Sequence, residues 1–500
     1  MAAPIAVKYI IRDLPLVLAL LALCALVVWA PLPFGSVTYE ARAGLQAACA
    51  VALLLVLPAR REGALGRGGR AVALALLLVA GWGLVQTLDL PAAVVRALSP
   101  HAAELRGTAA TLTGVPLPAR MPLSLAPDLS RRNALWWAAV GVALFTAAAV
   151  ARRRTGRRAI GLALLVAAAV EVLYGTHRWS SGASTLWGVA VQGGPGRLRG
   201  TFINPDHLAL FLELALVVAF AWIWWALRRA RAADSLERRL LLVGPALVVW
   251  LGFFAAIAFT GSRAGLLGAV LATAAQGAAA ALRRRQWGLA PAGVGLGLLG
   301  IGTVAAIGLQ EGLGRWLATS PYELTWNSRR TAYAATWELW QRFPWTGTGM
   351  ASFRDAFPMV QPASIPGGWW HAHNDWLEAL ATLGIPGALL LLVGLAAAVH
   401  RLFQVLAGDN RGEDRAAALA GYGALAAAAV HSALDFGLTI PANALALAVL
   451  VGAACGAPIN VNREQTLTRR RRSTKAVAPA AGPERDDGEA APEPSAPDAP

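Results

Sequence analysis

A dense polar segment at residues 369–378, called here the polar stretch, contains residue types whose spacing could do chemistry. His371, His373, Asn374 and Asp375 stand directly before a long apolar run. Titratable side chains at the mouth of a membrane helix must face water, a partner or a substrate. The polar stretch is therefore the first candidate for the site of a reaction.

A metal site and a structural role are the alternatives for the polar stretch. In an extended segment, His371, His373 and Asp375 would project to one side and could bind Zn or Mn. His-rich patches also arise without a metal, and arginines elsewhere in the chain can stabilise the negative charge that a metal would stabilise. We therefore expect no metal ligands. In the structural alternative, His373 caps the next helix or bonds a loop carbonyl.

The composition indicates a polytopic helical membrane protein. The 500 residues are 57% hydrophobic and include 19 Trp, in repeated apolar segments of membrane-spanning length, which an ordinary soluble domain lacks. The net charge of +16 comes from short Arg clusters between apolar segments. Such clusters orient a membrane protein, so we expect no nucleic-acid partner. Three cysteines lie in apolar segments without metal-ligand spacing and are expected in the core: Cys24, Cys49 and Cys455.

The fold class predicted from the apolar segments is all-α, with about twelve transmembrane helices. The first is expected to be an uncleaved anchor. Arg clusters in alternate connections fall on the N-terminal side, so both termini are predicted in the cytoplasm. The predicted spans are roughly 14–29, 44–59, 71–88, 133–150, 159–175, 206–227, 240–260, 264–282, 289–308, 379–399, 416–434 and 441–457.

Three longer connections are predicted on the opposite side, at about 89–132, 176–205 and 309–378. The first is interrupted by Pro and should lie partly along the membrane interface. The third is a large loop between spans nine and ten, and it ends with the polar stretch. Residues 1–459 are thus predicted as the membrane domain, and the Ala-, Pro- and acid-rich residues 460–500 as a disordered cytoplasmic tail.

The other polar groups fall on the same outer side as the polar stretch. They are Arg199, Asn204 and His207 around the start of span six, Arg263 between spans seven and eight, Arg329 and Arg330 in the large loop, and His431 and Asp435 at the end of span eleven. Arg263 opens a helix, where amides and a guanidinium would bind phosphate, although an interface arginine is the alternative. His431 and Asp435, four residues apart, would share a helix face, where structural pairing and function are both open.

Aromatic residues in the large loop recur at helical spacing. Tyr333, Trp337 and Trp340 indicate an amphipathic helix on the membrane surface, or alternatively a stripe buried by packing. Either way, the helix would hold Arg329 or Arg330 above the outer leaflet.

The order and spacing of these motifs resemble the O-antigen ligase and polymerase superfamily. The resemblance covers roughly residues 200–440, and the predicted topology agrees with it. Asp206 and Tyr333 depart from it, because the family often has Asn and Trp there, and the Arg doublet leaves the loop arginine open, with spacing favouring Arg329. The matching residues are Asn204-Pro205-x-His207, Ser262-Arg263, Arg329 before Pro344-x-x-Gly347-x-Gly349, His373-Asn374 with Gly384 and Gly387, and His431 with Asp435.

The resemblance implies a multi-pass glycosyltransferase of the bacterial inner membrane with a periplasmic active site. It would move a glycan from undecaprenyl pyrophosphate to an acceptor hydroxyl, without a metal, nucleotide sugar or other cofactor. Lipid A-core is the favoured acceptor, which makes a ligase, and a lipid-linked glycan or a protein are the alternatives. Membrane lipid is the surrounding partner.

Roles for the site residues follow from that reaction. Arginines would stabilise the leaving pyrophosphate, with Arg263 and Arg329 or Arg330 as candidates. His373 would be the general base, with inversion at the sugar C1. Asn374 would position the acceptor or orient His373. The two glycines, Gly384 and Gly387, would allow another helix or the lipid pyrophosphate to approach closely. The remaining predicted substrate-binding residues are Arg199, Asn204, His207, His431 and Asp435.

A secondary transporter, such as a bicarbonate carrier, is a second class that the helix number allows. Transporters place ionisable groups or broken helices near mid-membrane. Here Glu213 and Glu171 lie inside predicted spans, whereas the other polar clusters gather at one face. That asymmetry favours an interfacial enzyme, and a scaffold for envelope assembly is the third reading.

Overall fold

The structure is a computed structural model that describes residues 3–58, 68–190, 196–231, 235–282, 326–408 and 410–459, together with Gly295. The chain divides into one unit at Met1–Ile459 and a second at Asn460–Pro500. The tail predicted at 460–500 lies outside the described residues. So do the ninth predicted span, apart from Gly295, and the first part of the large loop.

The described part of the chain is mostly helical, as predicted, and two pairs of two-residue antiparallel strands join neighbouring loops. The strands are β1 (Leu90–Pro91) with β2 (Arg120–Met121), and β3 (Thr185–Leu186) with β4 (Val189–Ala190). The helices are α1 (Ala3–Trp29), α2 (Tyr39–Val56), α3 (Arg70–Val85), α4 (Ala92–Leu98), α5 (Pro100–Thr113), α6 (Pro127–Val150), α7 (Arg154–Ser180), α8 (Pro205–Ala230), α9 (Leu236–Phe259), α10 (Arg263–Leu282), α11 (Trp326–Arg342), α12 (Phe353–Ala356), α13 (Asp375–Ala407), α14 (Gly412–Ser432) and α15 (Pro441–Cys455).

Seven of these helices are long and apolar enough to cross a membrane, namely α2, α6, α7, α8, α9, α10 and α13. Shorter apolar helices cover Asp13–Trp29, α3 and α15. Every predicted span except the ninth overlaps a helix of the described residues. The helices therefore agree with a multi-pass membrane protein, while the count of about twelve, the periplasmic loop and the orientation of the termini stay predictions.

Helix α8 lies at the centre of the helices that carry the candidate site. It packs against α9, α10 and α14 and more weakly against α7 and α15. Its apolar side chains are buried on all sides, including Phe211 and Leu212, which is typical of a helix enclosed by other helices. By contrast, α9 exposes Leu240, Leu241 and Val248, as a helix does when one face meets lipid tails.

Helix α13 is broken near its outer end, and the break gives its first two turns their own direction. Gly384 has φ +66° and ψ −172°, a conformation that essentially only glycine adopts. Pro386 has no N–H, so the carbonyl of Thr382 loses its partner within the helix. Gln86 Nε2 and the N–H of Gly349 each donate to that carbonyl at 3.0 Å. The break is therefore satisfied by two distant segments.

The Pro-x-x-Gly-x-Gly segment of the loop fits against this break. Ile385 donates its N–H to the carbonyl of Pro344 at 2.9 Å. A Cβ at Gly384 would stand 2.5 Å from the carbonyl oxygen of Trp345, and one at Gly347 would stand 2.3 Å from that of Thr382. Two glycine motifs that are far apart in sequence are thus complementary surfaces of one contact.

The end of the large loop forms a small core of its own outside the spanning helices. Its buried residues include Leu339, Phe343, Phe353, Phe357 and Trp369. Helix α11 is present where an amphipathic helix was predicted. The predicted aromatic stripe is not its buried face, since Trp337 is exposed. The buried residues of α11 are smaller: Ala332, Ala335, Thr336 and Leu339. This core holds the polar stretch against the ends of the spanning helices.

We predict that Gly384→Ala destabilises the protein by on the order of 2–3 kcal/mol, because alanine strains this backbone and its Cβ meets the carbonyl of Trp345. Unfolding of the purified protein in detergent, followed by tryptophan fluorescence, would measure the loss. Gly81→Ala in α3 is the matched control, since a Cβ there meets nothing within 4 Å. An equal loss in both variants would contradict the role given to the break.

Candidate functional site

His373 and Asp435 form the centre of the candidate site. Nδ1 of His373 lies 2.8 Å from Oδ1 of Asp435. The Asp435 side chain is only 2% exposed, whereas that of His373 is 17% exposed and reaches the surface. Because a carboxylate only accepts, the hydrogen of the neutral imidazole belongs on Nδ1 and the lone pair on Nε2. Nε2 has no hydrogen-bond partner among the described residues.

Electrostatics keep Asp435 ionised. Burial alone would raise the pKa of this carboxyl, but the hydrogen bond from His373 and the charges of His373, His207 and His431 hold it well below its usual range. Its second oxygen, Oδ2, is buried without a hydrogen-bond partner among the described residues. A buried carboxylate in this state can stabilise a positive charge on the imidazole beside it.

The backbone around His373 is held in an unusual conformation by contacts from three segments. Its φ is +52°, which is uncommon for a residue with a Cβ and persists only where neighbours impose it. The hydroxyl of Tyr333 donates to its carbonyl at 2.8 Å. Asn374 caps α13 by accepting from Leu377 N–H at 3.0 Å, and its Nδ2 donates to the carbonyl of Ala433. His373 is therefore held in place by its neighbours on both sides.

The arginine doublet divides into one enclosed and one exposed side chain. Arg329 Nη1 donates to the carbonyl of Leu434 at 2.6 Å, and its buried Nε has no partner among the described residues. Arg330 is exposed, and its side chain makes no hydrogen bond or ion pair with a described residue. Of the two arginines, Arg329 is therefore the one held against the turn that carries Asp435.

Phe436 organises three histidines around one ring. His371 stacks on it with centroids 4.3 Å apart, and His373 and His207 meet it edge-on at 4.8 and 4.7 Å. An aromatic ring fixes neighbouring rings through such contacts without competing for their protons. Sequence reasoning missed this role, because nothing in the local pattern distinguishes Phe436 from other core aromatics.

The alternating residues of the polar stretch turn to different partners instead of converging on one point. His371 Nδ1 pairs with Glu378 Oε1 at 2.9 Å, and Asp375 Oδ2 accepts from Ser432 and from the Leu438 N–H. Among the described residues, no group of three or more His, Cys, Asp or Glu is arranged to hold a metal ion. The extended geometry behind the metal alternative is absent, because α13 begins at Asp375.

His431 pairs with a residue of another helix. Its Nδ1 lies 2.7 Å from Oε1 of Glu213 in α8, with both side chains fully buried. The shared helix face expected for His431 and Asp435 is wrong, since α14 ends at Ser432 and the chain turns there, which points Asp435 at His373. Glu171 in α7 is likewise occupied, because it accepts from the N–H and hydroxyl of Thr201.

The segment before α8 adds basic charge near its N-terminus. Asn204 caps α8 by accepting from the Asp206 N–H at 2.9 Å. Arg197, which sequence reasoning missed, pairs with Asp206 at 2.6 Å. Burial, followed by the charges of Arg178 and Arg197, lowers the pKa of Arg199, so three guanidiniums are close together here. Such clusters attract anions.

Arg263, Gly384 and Gly387 complete the predicted set. Arg263 is the first residue of α10, is exposed, and makes no hydrogen bond with a described residue. Gly384 meets the loop carbonyls described above, and a Cβ at Gly387 would approach Leu383 and Trp82. The described contacts of both glycines are thus with protein, and substrate binding by them stays a prediction.

A family model described as O-antigen ligase matches residues 247–392. The match runs from α9 into α13 and includes Arg263, Arg329 and the polar stretch. This segment of the chain is similar to the O-antigen ligase family. The resemblance to the O-antigen ligase superfamily is thereby confirmed, and comparison with curated proteins gave no match.

The match to the O-antigen ligase family supports a ligase- or polymerase-type membrane glycosyltransferase. The family implies lipid-linked glycans as the general class of substrate. His207, Asn204, His431 and Asp435 lie outside the matched segment, so their place in the site rests on the contacts described above.

The His371–Glu378 pair should give the protein a pH-dependent stability. Burial alone would lower the pKa of His371, but the charge and hydrogen bond of Glu378, together with the charges of Asp375 and Asp435, outweigh burial and raise it. The stabilisation is therefore complete below the unfolded pKa of about 6.5 and is lost as pH rises through the higher folded pKa. We expect Glu378→Gln to cost on the order of 1–2 kcal/mol at pH 6 and less at pH 9.

Thermal unfolding of both proteins across that pH range would measure the difference. Glu338→Gln is the control, because Glu338 is exposed and pairs only with Arg342 among the described residues. A stability difference for Glu378→Gln that stays constant from pH 6 to pH 9 would refute the assignment.

Proposed function

We propose that this protein is an O-antigen ligase-like enzyme of the bacterial inner membrane that transfers a glycan from undecaprenyl pyrophosphate to lipid A-core at the periplasmic face. The reaction inverts the sugar C1 and uses no metal. The observation that carries the proposal is the His373–Asp435 pair at 2.8 Å, with Nε2 of His373 left without a described partner. The cytoplasmic location of both termini belongs to the same proposal.

His373 acts as the general base. The acceptor hydroxyl oxygen forms a bond to C1 of the donor sugar, while its proton passes to Nε2 of His373. Asp435 accepts from Nδ1 throughout, so the imidazolium that forms lies next to a carboxylate. The proton then leaves from Nε2 to solvent, which restores the neutral ring.

The leaving group departs on the face of C1 opposite the attack. The bond from C1 to the pyrophosphate oxygen breaks, and that oxygen keeps the electron pair. Arg329, whose Nε has no described partner, stabilises the developing charge together with Arg263, which lies at the start of α10. Arg199 and Arg197 add to the positive potential that gathers the lipid pyrophosphate.

The other predicted residues position these groups. Asn374 holds His373 through the cap of α13. Asn204 caps α8, and His207 in the first turn of α8 meets the ring of Phe436. Gly384 and Gly387 set the direction of the first turns of α13. His431, bonded to Glu213, secures the end of α14 from which Asp435 projects.

Two alternatives remain within the family and one outside it. A polymerase would use a second lipid-linked glycan as acceptor, and an oligosaccharyltransferase would use a protein hydroxyl. A transporter would need ionisable groups available at mid-membrane, whereas the described contacts of Glu213 and Glu171 are to His431 and Thr201.

We expect purified protein to transfer glycan from undecaprenyl pyrophosphate to lipid A-core in the presence of EDTA. His373→Asn should transfer glycan about 10²–10⁴-fold more slowly than the wild type, because the general base is lost. Asn is chosen because it tolerates the positive φ of this position. Asp435→Asn should also reduce it, because an amide cannot stabilise the imidazolium. The readout is labelled glycan on lipid A-core, resolved by gel.

The acceptors separate the outcomes of this assay. Extension of the donor without lipid A-core would make the protein a polymerase. Failure with every acceptor, by protein shown to be folded, would overturn the glycosyltransferase mechanism, and full activity in His373→Asn would overturn the role of the base.

The arginine doublet offers a matched pair of variants. Arg329→Gln should lose transfer activity by about 10²-fold, since one donor to a developing anion is removed, whereas Arg330→Gln should keep it. Both variants remove one charge from the same helix. Equal activities in the two would count against a transition-state role for Arg329.

A further inference from the structure

The end of the spanning helices opposite the candidate site contains a cavity of about 570 Å³. It lies between the last turns of α8, α10 and α13 and the first turns of α9 and α14. The candidate site is built at the other end of these same helices. This cavity is therefore separate from the proposed glycosyltransferase centre.

The described residues that line the cavity include four arginines and no acidic residue. They are Arg228, Arg231, Arg239 and Arg415. Arg228 also lies over the ring of Trp224, with its Cζ 4.9 Å from the centroid. Arg415 donates from Nη2 to the carbonyl of Gly408 at 3.1 Å, and its buried Nε has no partner among the described residues. The lining thus concentrates positive charge around a partly open cavity.

The remaining lining residues are apolar. Trp224, Leu227, Val243 and Leu419 face the cavity with small residues of α10. A free phosphate would gain nothing from such walls, whereas a molecule with an anionic head and a hydrocarbon tail would use both parts. Basic pockets of this kind at the ends of spanning helices match the depth of lipid headgroups.

We propose that this cavity binds an anionic phospholipid, with the phosphate held by the arginines and an acyl chain against Trp224 and Val243. The charge of the lining and the apolar walls carry the assignment. The lipid joins α8, α9 and α14 at the end of the helices where they meet water, and the site works independently of glycan transfer.

The test uses the full chain, purified in neutral detergent, stripped of lipid and titrated with dioleoyl phosphatidylglycerol or dioleoyl phosphatidylcholine. Native mass spectrometry counts retained lipid. Phosphatidylglycerol should be retained about tenfold more strongly, and Arg231→Gln with Arg415→Gln should remove most of that preference. Arg231→Gln alone, at an exposed position, should fold normally and remove part of it.

Two further variants separate charge from shape. Val243→Trp should narrow the apolar part of the cavity and weaken phosphatidylglycerol binding without a change in charge. Arg152→Gln is the control, because Arg152 is exposed but does not line the cavity. It lies at the same end of the helices, where the Arg157–Asp414 ion pair joins α7 to α14. It should bind like the wild type.

Three results would overturn the proposal. Equal retention of the two lipids by the wild type would remove the anionic selectivity. An equal loss in Arg152→Gln would mean that charge at this end acts without a site. Displacement of phosphatidylglycerol by inorganic phosphate at the same concentration would show a site for the anion alone.

Discussion

The hydrogen bond between His373 and Asp435 joins two segments 62 residues apart, and the candidate site exists only where both are held in place. One segment is the polar stretch at the end of a loop, and the other is the turn after α14. A 2.8 Å contact tolerates little displacement. The small outer core, the cap of α13 and the buried His431–Glu213 pair each limit the movement of one side.

The break in α13 supplies the direction that this contact needs. An unbroken helix would carry its first turns along the axis of the spanning segment. Gly384 permits the change of direction, and Pro386 cannot donate the backbone hydrogen bond that would continue the helix across it. Inside a membrane protein the freed carbonyl must find a donor within the protein, and Gln86 with the loop N–H groups provides it. The break therefore couples the loop, α3 and α13.

Positive charge is used differently at the two ends of the helices. At the end that carries the candidate site, Arg329 is oriented by the carbonyl of Leu434, and Arg197 by the carbonyl of Thr260 and by Asp206. Fixed guanidiniums next to a base suit charge that develops during a reaction. At the opposite end, arginines surround a cavity with apolar walls and no acidic residue among its described lining. That arrangement suits a resident amphiphile instead of a transient charge.

The amino-acid sequence by itself predicted the helices and the resemblance to a superfamily, and it contains the residues that break α13. Apolar segments of spanning length, Asn204 and Asn374 before helices, and Gly384 with Pro386 are local signals whose physics acts within a few residues. Only the tertiary structure decided that Asp435 faces His373 and not His431, that Arg329 is the enclosed member of its doublet, and that Gln86 and Phe436 hold the site together. These contacts join residues from different helices, and their choice depends on how helix faces pack against one another, which no local pattern encodes.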